Sequence, residues 1–165
     1  MLSRRYALWA GASALALFVA GRLFGRPSVS EAAESFAVAH SDAEWHSLLT
    51  PAQYSVLRLQ GTERPFSSPL DHEERPGTFA CAGCDQPLFS STTKYDSRTG
   101  WPSFWRPLDG AVGTSEDNFL AMKRTEVHCS RCGGHLGHVF NDGPPPTGLR
   151  YCMNGIAMTF RPDSA

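Results

Sequence analysis

Two short stretches decide the fold of this 165-residue chain: Cys81-Ala82-Gly83-Cys84 and Cys129-Ser130-Arg131-Cys132. Each is a CxxC pair, and together they supply four thiolates at the spacing of a tetrahedral structural zinc site. Four sulfur ligands leave no open coordination position, so such an ion holds the fold and takes no part in chemistry. The fifth cysteine, Cys152, stands alone and is therefore the thiol available for a reaction.

The four paired cysteines would also fit two disulfides or a redox-active CxxC, because the N-terminus resembles an export signal and export leads to an oxidising compartment. Glycine lies inside or beside each pair, at Gly83 and at Gly133-Gly134, which suits a backbone wrapped around a metal. A redox CxxC usually occurs once, before a helix, whereas both pairs here lie in glycine-rich, strand-like sequence. We therefore expect one structural Zn²⁺ per chain, clamping two distant hairpins by closing a long loop.

The composition favours a single domain of strands and turns, which we place at residues 40–165. Twelve prolines and fifteen glycines separate short apolar runs, and no internal repeat is visible. The net charge of −1, without a basic patch, argues against nucleic acid as a partner.

Residues 1–39 differ from the rest and predict a signal or membrane-anchor segment followed by a linker. Ser3-Arg4-Arg5 precedes an uncharged run over residues 6–21, the layout of a charged region before an apolar one. The arginine pair resembles a twin-arginine signal, a route that exports proteins already folded and loaded with metal. We therefore expect the protein to be exported to the periplasm, or membrane-anchored and facing outside the cytoplasm.

Whether this segment is cleaved stays open. Small-x-small cleavage sites occur at Ala37-Val38-Ala39 and at Ser28-Val29-Ser30. A membrane tether is the alternative, although the uncharged run is shorter than the roughly 20 residues that span a bilayer. Arg22 and Arg26, just beyond the run, favour neither outcome cleanly.

Two short helices are predicted ahead of the strands. Ser41 and Glu44 form a capping box for a helix that ends at about Leu49. Thr50 and Gln53 repeat this pattern, with Pro51 at the first helical position, for a second helix that stops at Gly61. Strand patterns follow at 78–80, 87–90, 118–127, 136–140, 150–154 and 156–160, with Gly155 as a bend between the last two. The sequence thus predicts a mainly β fold with antiparallel strands.

Cys152 lies in the strand-like stretch Arg150-Tyr151-Cys152-Met153-Asn154. Side chains alternate along a strand, so Arg150, Cys152 and Asn154 share one face. The cation is expected to lower the thiol pKa from about 8.5 and to raise the thiolate fraction. The amide is placed to bind a substrate or hold a neighbouring group. A small buried cysteine of a core strand is the alternative, but the flanking Arg150 and Asn154 favour a nucleophile.

Two histidines and a tryptophan are the other candidate site residues. His135 and His138 closely follow the second cysteine pair, and either imidazole can donate a proton near neutral pH. Trp101 precedes Pro102, which holds it extended, so it can present its indole face to an apolar group. Purely structural roles are the alternative for all three residues.

Six stretches resemble the signature blocks of the methionine-R-sulfoxide reductases: GTERPFS (61–67), KYDS (94–97), GWPSF (100–104), RTEV (124–127), HLGHVF (135–140) and PTGLRYCMN (146–154). The resemblance covers about residues 41–162. It implies a zinc-clamped antiparallel β-tent, and reduction of the R epimer of methionine sulfoxide, chiefly peptide-bound, in the repair of oxidised proteins.

The resemblance also implies the role of each site residue. Cys152 is the catalytic cysteine, which becomes a sulfenic acid; His135 and His138 meet the sulfoxide oxygen. Trp101 is the platform for the substrate methyl group, and Asn154 and Arg150 orient and activate the reacting groups. The implied partners are oxidised proteins or peptides as substrate and a thioredoxin-like protein or small thiol as reductant. We expect a monomer.

Two positions depart from the family pattern. Thr99 stands where many members carry a resolving cysteine, and Gly155 stands where serine is usual. The first departure predicts that an external thiol reduces the oxidised enzyme directly. Two other functions are carried as alternatives: a non-catalytic zinc module that binds a peptide, and a disulfide oxidoreductase with a reactive CxxC.

Overall fold

The computed structural model describes residues 35–117 and 123–164. Two short helices come first, α1 (Asp42–Leu48) and α2 (Pro51–Leu59). Both begin with the capping boxes expected from the sequence, Ser41 with Glu44 and Thr50 with Gln53. At the end of α2, Gln60 rather than Gly61 takes the left-handed cap conformation, with φ 55°.

In the described part of the chain, nine strands follow the helices and form two antiparallel sheets. They are β1 (Gly77–Cys81), β2 (Pro87–Ser90), β3 (Lys94–Tyr95), β4 (Ser103–Phe104), β5 (Val112–Asp117), β6 (Arg124–Cys129), β7 (His135–Phe140), β8 (Arg150–Met153) and β9 (Met158–Pro162). The small sheet has the order β2-β1-β9, and the large sheet has the order β3-β4-β8-β7-β6-β5. The predicted mainly β fold with two N-terminal helices is confirmed.

The core joins the two sheets through fully buried aromatic rings. Phe79 and Phe89 of the small sheet lie 4.9 and 4.3 Å, between ring centroids, from Phe104 of the large sheet. Burying three phenylalanines in mutual contact contributes about 1.5–3 kcal/mol per side chain to the stability of the fold. This packing fixes β4, and β4 is the strand that neighbours the strand of Cys152.

Three predicted strands differ from the observed ones. The predicted strand 118–127 contains the start of β6, which runs on to Cys129, while residues 118–122 lie outside the described part of the chain. The strand predicted at 150–154 ends at Met153. The strand predicted at 156–160 begins only at Met158, because a 3-10 turn over Gly155–Ala157 comes first. Glu63 fixes that turn by accepting the backbone N–H of Ile156 at 3.0 Å.

The signal or anchor predicted for residues 1–39 lies outside the described residues up to residue 34. Residues 36 and 38 contact the folded domain: Val38 donates its N–H to Arg131 O at 2.9 Å, and the Phe36 ring lies 5.8 Å from that of His128. Within the described ranges, no helix has the length and apolar character needed to cross a membrane.

Candidate active site

Cys152 lies near the middle of the large sheet, on β8 between β4 and β7. In register it is opposite Ser103 on one side and His138 on the other. The register of β7 against β8 therefore brings the lone thiol beside His138, one of the two candidate histidines. Directly opposed residues of antiparallel strands have Cβ atoms about 4.5–5.5 Å apart, close enough for their side chains to share a substrate.

A cavity of about 130 Å³ opens beside Cys152, and its lining includes four of the predicted site residues: Cys152, His138, Trp101 and Asn154. Thr62, Arg124, Gly137 and Phe140 complete the lining. A second cavity of about 190 Å³ shares Thr62, Arg124 and His138 with the first, and it contains His135. The structure thus places one histidine at the thiol and the other in the adjoining cavity.

The imidazole of His138 is fixed by the ion pair of Asp117 and Arg124. Its Nε2 lies 2.8 Å from Asp117 Oδ2, and the same oxygen accepts a hydrogen bond from Arg124 at 2.7 Å. Burial lowers the pKa of His138 from 6.5, and the Asp117 carboxylate opposes that effect. The imidazole is therefore mostly neutral at pH 7 and donates its Nε2–H to Asp117.

His135 is almost fully buried, with 3% of its surface exposed. Its Nδ1 lies 2.7 Å from Glu126 Oε1, and this contact lowers the pKa of Glu126 to about 2. Glu126 is thus a carboxylate at neutral pH and accepts the Nδ1–H of His135. The other ring nitrogen, Nε2, is buried and has no hydrogen-bond partner among the described residues. That nitrogen is available to a polar group entering the second cavity.

The thiol of Cys152 behaves differently from the sequence prediction. Burial raises its pKa above the ordinary value, and this effect exceeds the lowering by Thr99 and by the charge of Arg150. The predicted net lowering of the pKa is therefore wrong, because the strand lies inside a packed sheet and desolvation outweighs one nearby cation. Cys152 is a protonated thiol in the resting protein.

Arg150 is not among the residues that line the cavity of Cys152. Its guanidinium makes a bidentate pair with Asp142, at 2.8 and 2.9 Å, and lies 4.4 Å from the centre of the Phe140 ring. Arg150 also opposes the rise in the pKa of Cys152, both by its charge and by a hydrogen bond to the sulfur. It therefore reaches the nucleophile from outside the cavity and packs against Phe140, which does line the cavity.

Asn154 and Trp101 are both tied to the loop that contains Glu63. The side-chain oxygen of Asn154 accepts the Glu63 N–H at 2.9 Å, and its amide donates to Leu136 O at 3.0 Å. The indole Nε1 of Trp101 donates to Glu63 O at 3.2 Å. The indole hydrogen bond therefore fixes the Trp101 ring at the cavity, and the Asn154 hydrogen bond fixes the loop of Glu63 against the end of β8.

The four paired cysteines form one cluster that joins the two sheets. Their Sγ atoms all lie within 4.8 Å of one another, with Cys81 to Cys132 at 3.7 Å and Cys84 to Cys129 at 3.6 Å. A disulfide needs an S–S distance of about 2.05 Å, so the cluster contains none. Zn–S bonds of about 2.3 Å in a tetrahedron place sulfurs about 3.8 Å apart, and the donor set fits that ion. The cluster is a structural metal site that fixes the start of β7, and with it both histidines.

Sequence reasoning missed three charged residues of the site: Asp117, Arg124 and Glu126. Arg124 and Glu126 are two residues apart in β6, within the RTEV block, and so share one face of the strand. That spacing is the one signal that could have found them. Asp117 ends β5, a strand that the sequence did not predict, so no local pattern marked it. Glu126 acts on His135 of the neighbouring β7, whereas Asp117, paired with Arg124, reaches across β6 to His138.

Fold and site together define a thiol enzyme of mainly β architecture with a structural metal cluster. The model of the SelR domain family matches residues 49–162. The chain is 56% identical over 123 residues to "Peptide methionine sulfoxide reductase MsrB" of Agrobacterium fabrum, covering 74% of this chain and 91% of that protein. Proteins of the same name are 52% identical in Leptospira interrogans, over 77% of this chain and 98% of the relative, and 56% identical in Methanosarcina mazei, over 73% and 86%.

A match of this length and identity shows the family. The chain belongs to the SelR family of methionine sulfoxide reductases.

Proposed function

We propose that this chain reduces methionine-R-sulfoxide in oxidised proteins and peptides, with Cys152 as the nucleophile. The observation that carries the proposal is that Cys152 and His138 lie directly opposite each other in the sheet and line one cavity with Trp101. A thiol, an imidazole and an indole face are the groups that this reaction requires: a nucleophile for sulfur, a proton donor for oxygen, and an apolar surface for a methyl group.

The reaction transfers one oxygen atom. The sulfur of Cys152, as a thiolate, attacks the sulfoxide sulfur. The sulfoxide oxygen takes up a proton and is finally bonded to the sulfur of Cys152. Two electrons pass from the cysteine sulfur to the substrate sulfur, so the thiol and the sulfoxide become a sulfenic acid and a thioether. His138 is the group beside Cys152 that can receive the thiol proton and return it to the oxygen.

Cavity shape supports a substrate bound by its methyl sulfoxide end. About 130 Å³ accommodates a sulfoxide and its methyl group, and the lining offers both the half-buried indole of Trp101 and the imidazole of His138. The adjoining cavity with Arg124 and His135 opens toward the exposed Leu59, where the peptide carrying the sulfoxide can pass. Asn154 holds the loop of Glu63 at the cavity, and Arg150 packs against Phe140 and hydrogen-bonds to the sulfur of Cys152.

Two features outside the cavity belong to the same proposal. The four-cysteine cluster holds Zn²⁺, which supplies stability and no step of the reaction. The N-terminal segment with Arg4 and Arg5 directs export by the twin-arginine route, so the reductant works outside the cytoplasm. Since Thr99 replaces a resolving cysteine, that reductant is a thioredoxin-like protein or a small thiol that attacks oxidised Cys152 directly.

Separated epimers test the proposal. With dithiothreitol as reductant, the protein is expected to consume a peptide methionine-R-sulfoxide and to leave the S epimer unchanged, because one wall of the cavity must receive the oxygen and another the methyl. Product is measured by chromatography. Equal turnover of both epimers, or of neither, would contradict the assignment. Reduction of a disulfide substrate by metal-free protein would favour the disulfide oxidoreductase instead.

The acid role of His138 predicts a characteristic pH profile. Because the pKa of Cys152 is raised and that of His138 is lowered, thiolate gained with rising pH is offset by imidazolium lost. The single-turnover rate of the wild type should therefore rise with pH below the pKa of His138, stay flat through neutrality, and fall only above the pKa of Cys152. The single-turnover rate of His138→Ala should be about 10²-fold lower at pH 7 and should rise with pH throughout this range. A flat profile at the wild-type rate in His138→Ala would transfer the role to His135.

A further inference from the structure

A chain of three hydroxyl groups connects the sulfur of Cys152 to the backbone. Thr99 Oγ1 lies 3.8 Å from Cys152 Sγ and 2.8 Å from Ser97 Oγ. Ser97 Oγ lies 2.7 Å from Ser103 Oγ, and Ser103 donates to Trp101 O at 3.0 Å. Ser103 is fully buried and pairs in register with Cys152, so the chain is part of the sheet around the thiol.

The direction of these hydrogen bonds follows from counting hydrogens, since each hydroxyl has only one to donate. The Trp101 carbonyl can only accept, so the hydrogen of Ser103 is committed to it. Ser97 must then donate to Ser103, and Thr99 must donate to Ser97. The Ser103 hydroxyl also lies within hydrogen-bond reach of the sulfur, but its one hydrogen is already used. The thiol hydrogen of Cys152 is therefore the one left for the contact with Thr99 Oγ1.

We propose that Thr99 is a further catalytic residue: its hydroxyl accepts the hydrogen of the resting Cys152 thiol and turns to donate to the sulfur once that hydrogen is lost. Ser97 and Ser103 are positioning residues that hold the hydroxyl of Thr99 in the accepting orientation. The proposal rests on the proposed function of Cys152 and deepens it, because it assigns a role to the position where many family members carry a resolving cysteine.

The turn of Thr99 has a defined cost and a defined gain. Donating to the thiolate breaks the Thr99 to Ser97 hydrogen bond, a neutral pair, and forms a charge-assisted one, which is about twice as strong. The resting site therefore favours the protonated thiol, and the hydroxyl stabilises the sulfur only after ionisation. The same donor then faces the oxygen of the sulfenic acid, which Cys152 gains from the substrate.

Other charged or titratable groups also face Cys152 and would set the absolute reactivity. They are Arg150 on its own strand, His138 on β7, Arg124 at the cavity wall and Tyr95 on β3. None of them changes in the variants below, so differences among these variants report on the hydroxyl chain.

The test is the rate at which iodoacetamide alkylates Cys152 in the resting, metal-loaded protein, followed by peptide mass mapping between pH 6 and 10. Thr99→Val removes the donor without changing the shape, and it should slow alkylation at pH 7.5 about tenfold. Thr99→Ser keeps the hydroxyl and should stay within about threefold of the wild type. Ser97→Ala frees the hydroxyl of Thr99 to face the sulfur, and it should accelerate alkylation about threefold to tenfold.

The opposite signs of Thr99→Val and Ser97→Ala make the proposal falsifiable. Alkylation of Thr99→Val at the wild-type rate would show that the Thr99 hydroxyl has no role. Slower alkylation of Ser97→Ala would show that Thr99 already donates its hydrogen to the sulfur in the resting protein. If Thr99→Val fails to fold, the direction of the change in alkylation rate of Ser97→Ala is sufficient to decide. Alkylation needs no substrate, so this result is separate from whether methionine sulfoxide is the substrate.

Discussion

Replacing Cys152 by serine should lower turnover of methionine-R-sulfoxide by a factor on the order of 10⁴ to 10⁶, the loss that follows removal of an enzyme nucleophile. Serine is nearly the same size, but its hydroxyl is a far weaker nucleophile for sulfur and forms no sulfenic acid. Steady-state assays with dithiothreitol measure the effect.

The fold of Cys152→Ser should stay intact. Cys152 is not a member of the four-cysteine cluster, so the variant should keep its metal and its melting temperature within a few degrees of the wild type. Turnover of Cys152→Ser above about 1% of the wild type would show that another group attacks the sulfoxide.

Replacing Cys129 by serine should unfold the protein. Cys129 is fully buried and its sulfur lies 3.6 Å from that of Cys84, so the cluster joins the β6–β7 turn to the β1–β2 turn. A structural zinc contributes about 10–16 kcal/mol in small domains, whereas a whole domain is stable by only about 5–15 kcal/mol. Metal content by native mass spectrometry and thermal unfolding by circular dichroism measure the loss.

Arg131→Ala is the matched control for Cys129→Ser. Arg131 is an exposed residue of the same turn, and its side chain makes one long hydrogen bond, 3.3 Å, to Cys84 O. This variant should bind metal and melt like the wild type. Folded, active Cys129→Ser without metal would contradict the structural role of the cluster.

Local signals in the sequence predicted the elements that are encoded locally. The capping boxes at Ser41 and Thr50 depend on residues three positions apart, and both helices begin where these patterns place them. The cysteine spacing likewise predicted the cluster that the structure shows. The strands β3 and β4, of two residues each, escaped prediction because their pairing, rather than their own pattern, makes them strands: β4 pairs with β8, and β3 pairs with β4.

The same distinction explains the candidate site. Cys152, His138, Trp101 and Asn154 stand in recognisable motifs and share one cavity. The reactivity of Cys152 could not be predicted, because the local rule counts the charge of Arg150 and omits the burial that the whole sheet imposes. Asp117 and Glu126 were missed for a related reason: each matters only through a histidine on another strand.

In the proposed reaction, the oxygen of the substrate passes to the sulfur of Cys152 and remains there until an external thiol reduces the sulfenic acid. The most direct measurement reacts the reduced, metal-loaded protein with one equivalent of a peptide methionine-R-sulfoxide and no reductant. A dimedone probe then traps sulfenic acid, and peptide mapping locates every modified cysteine.

We expect loss of one thiol, a dimedone adduct on Cys152, one equivalent of methionine peptide and full retention of the metal. The S epimer should give none of these. A disulfide between Cys152 and a cysteine of the cluster, or an adduct on any other residue, would contradict the account.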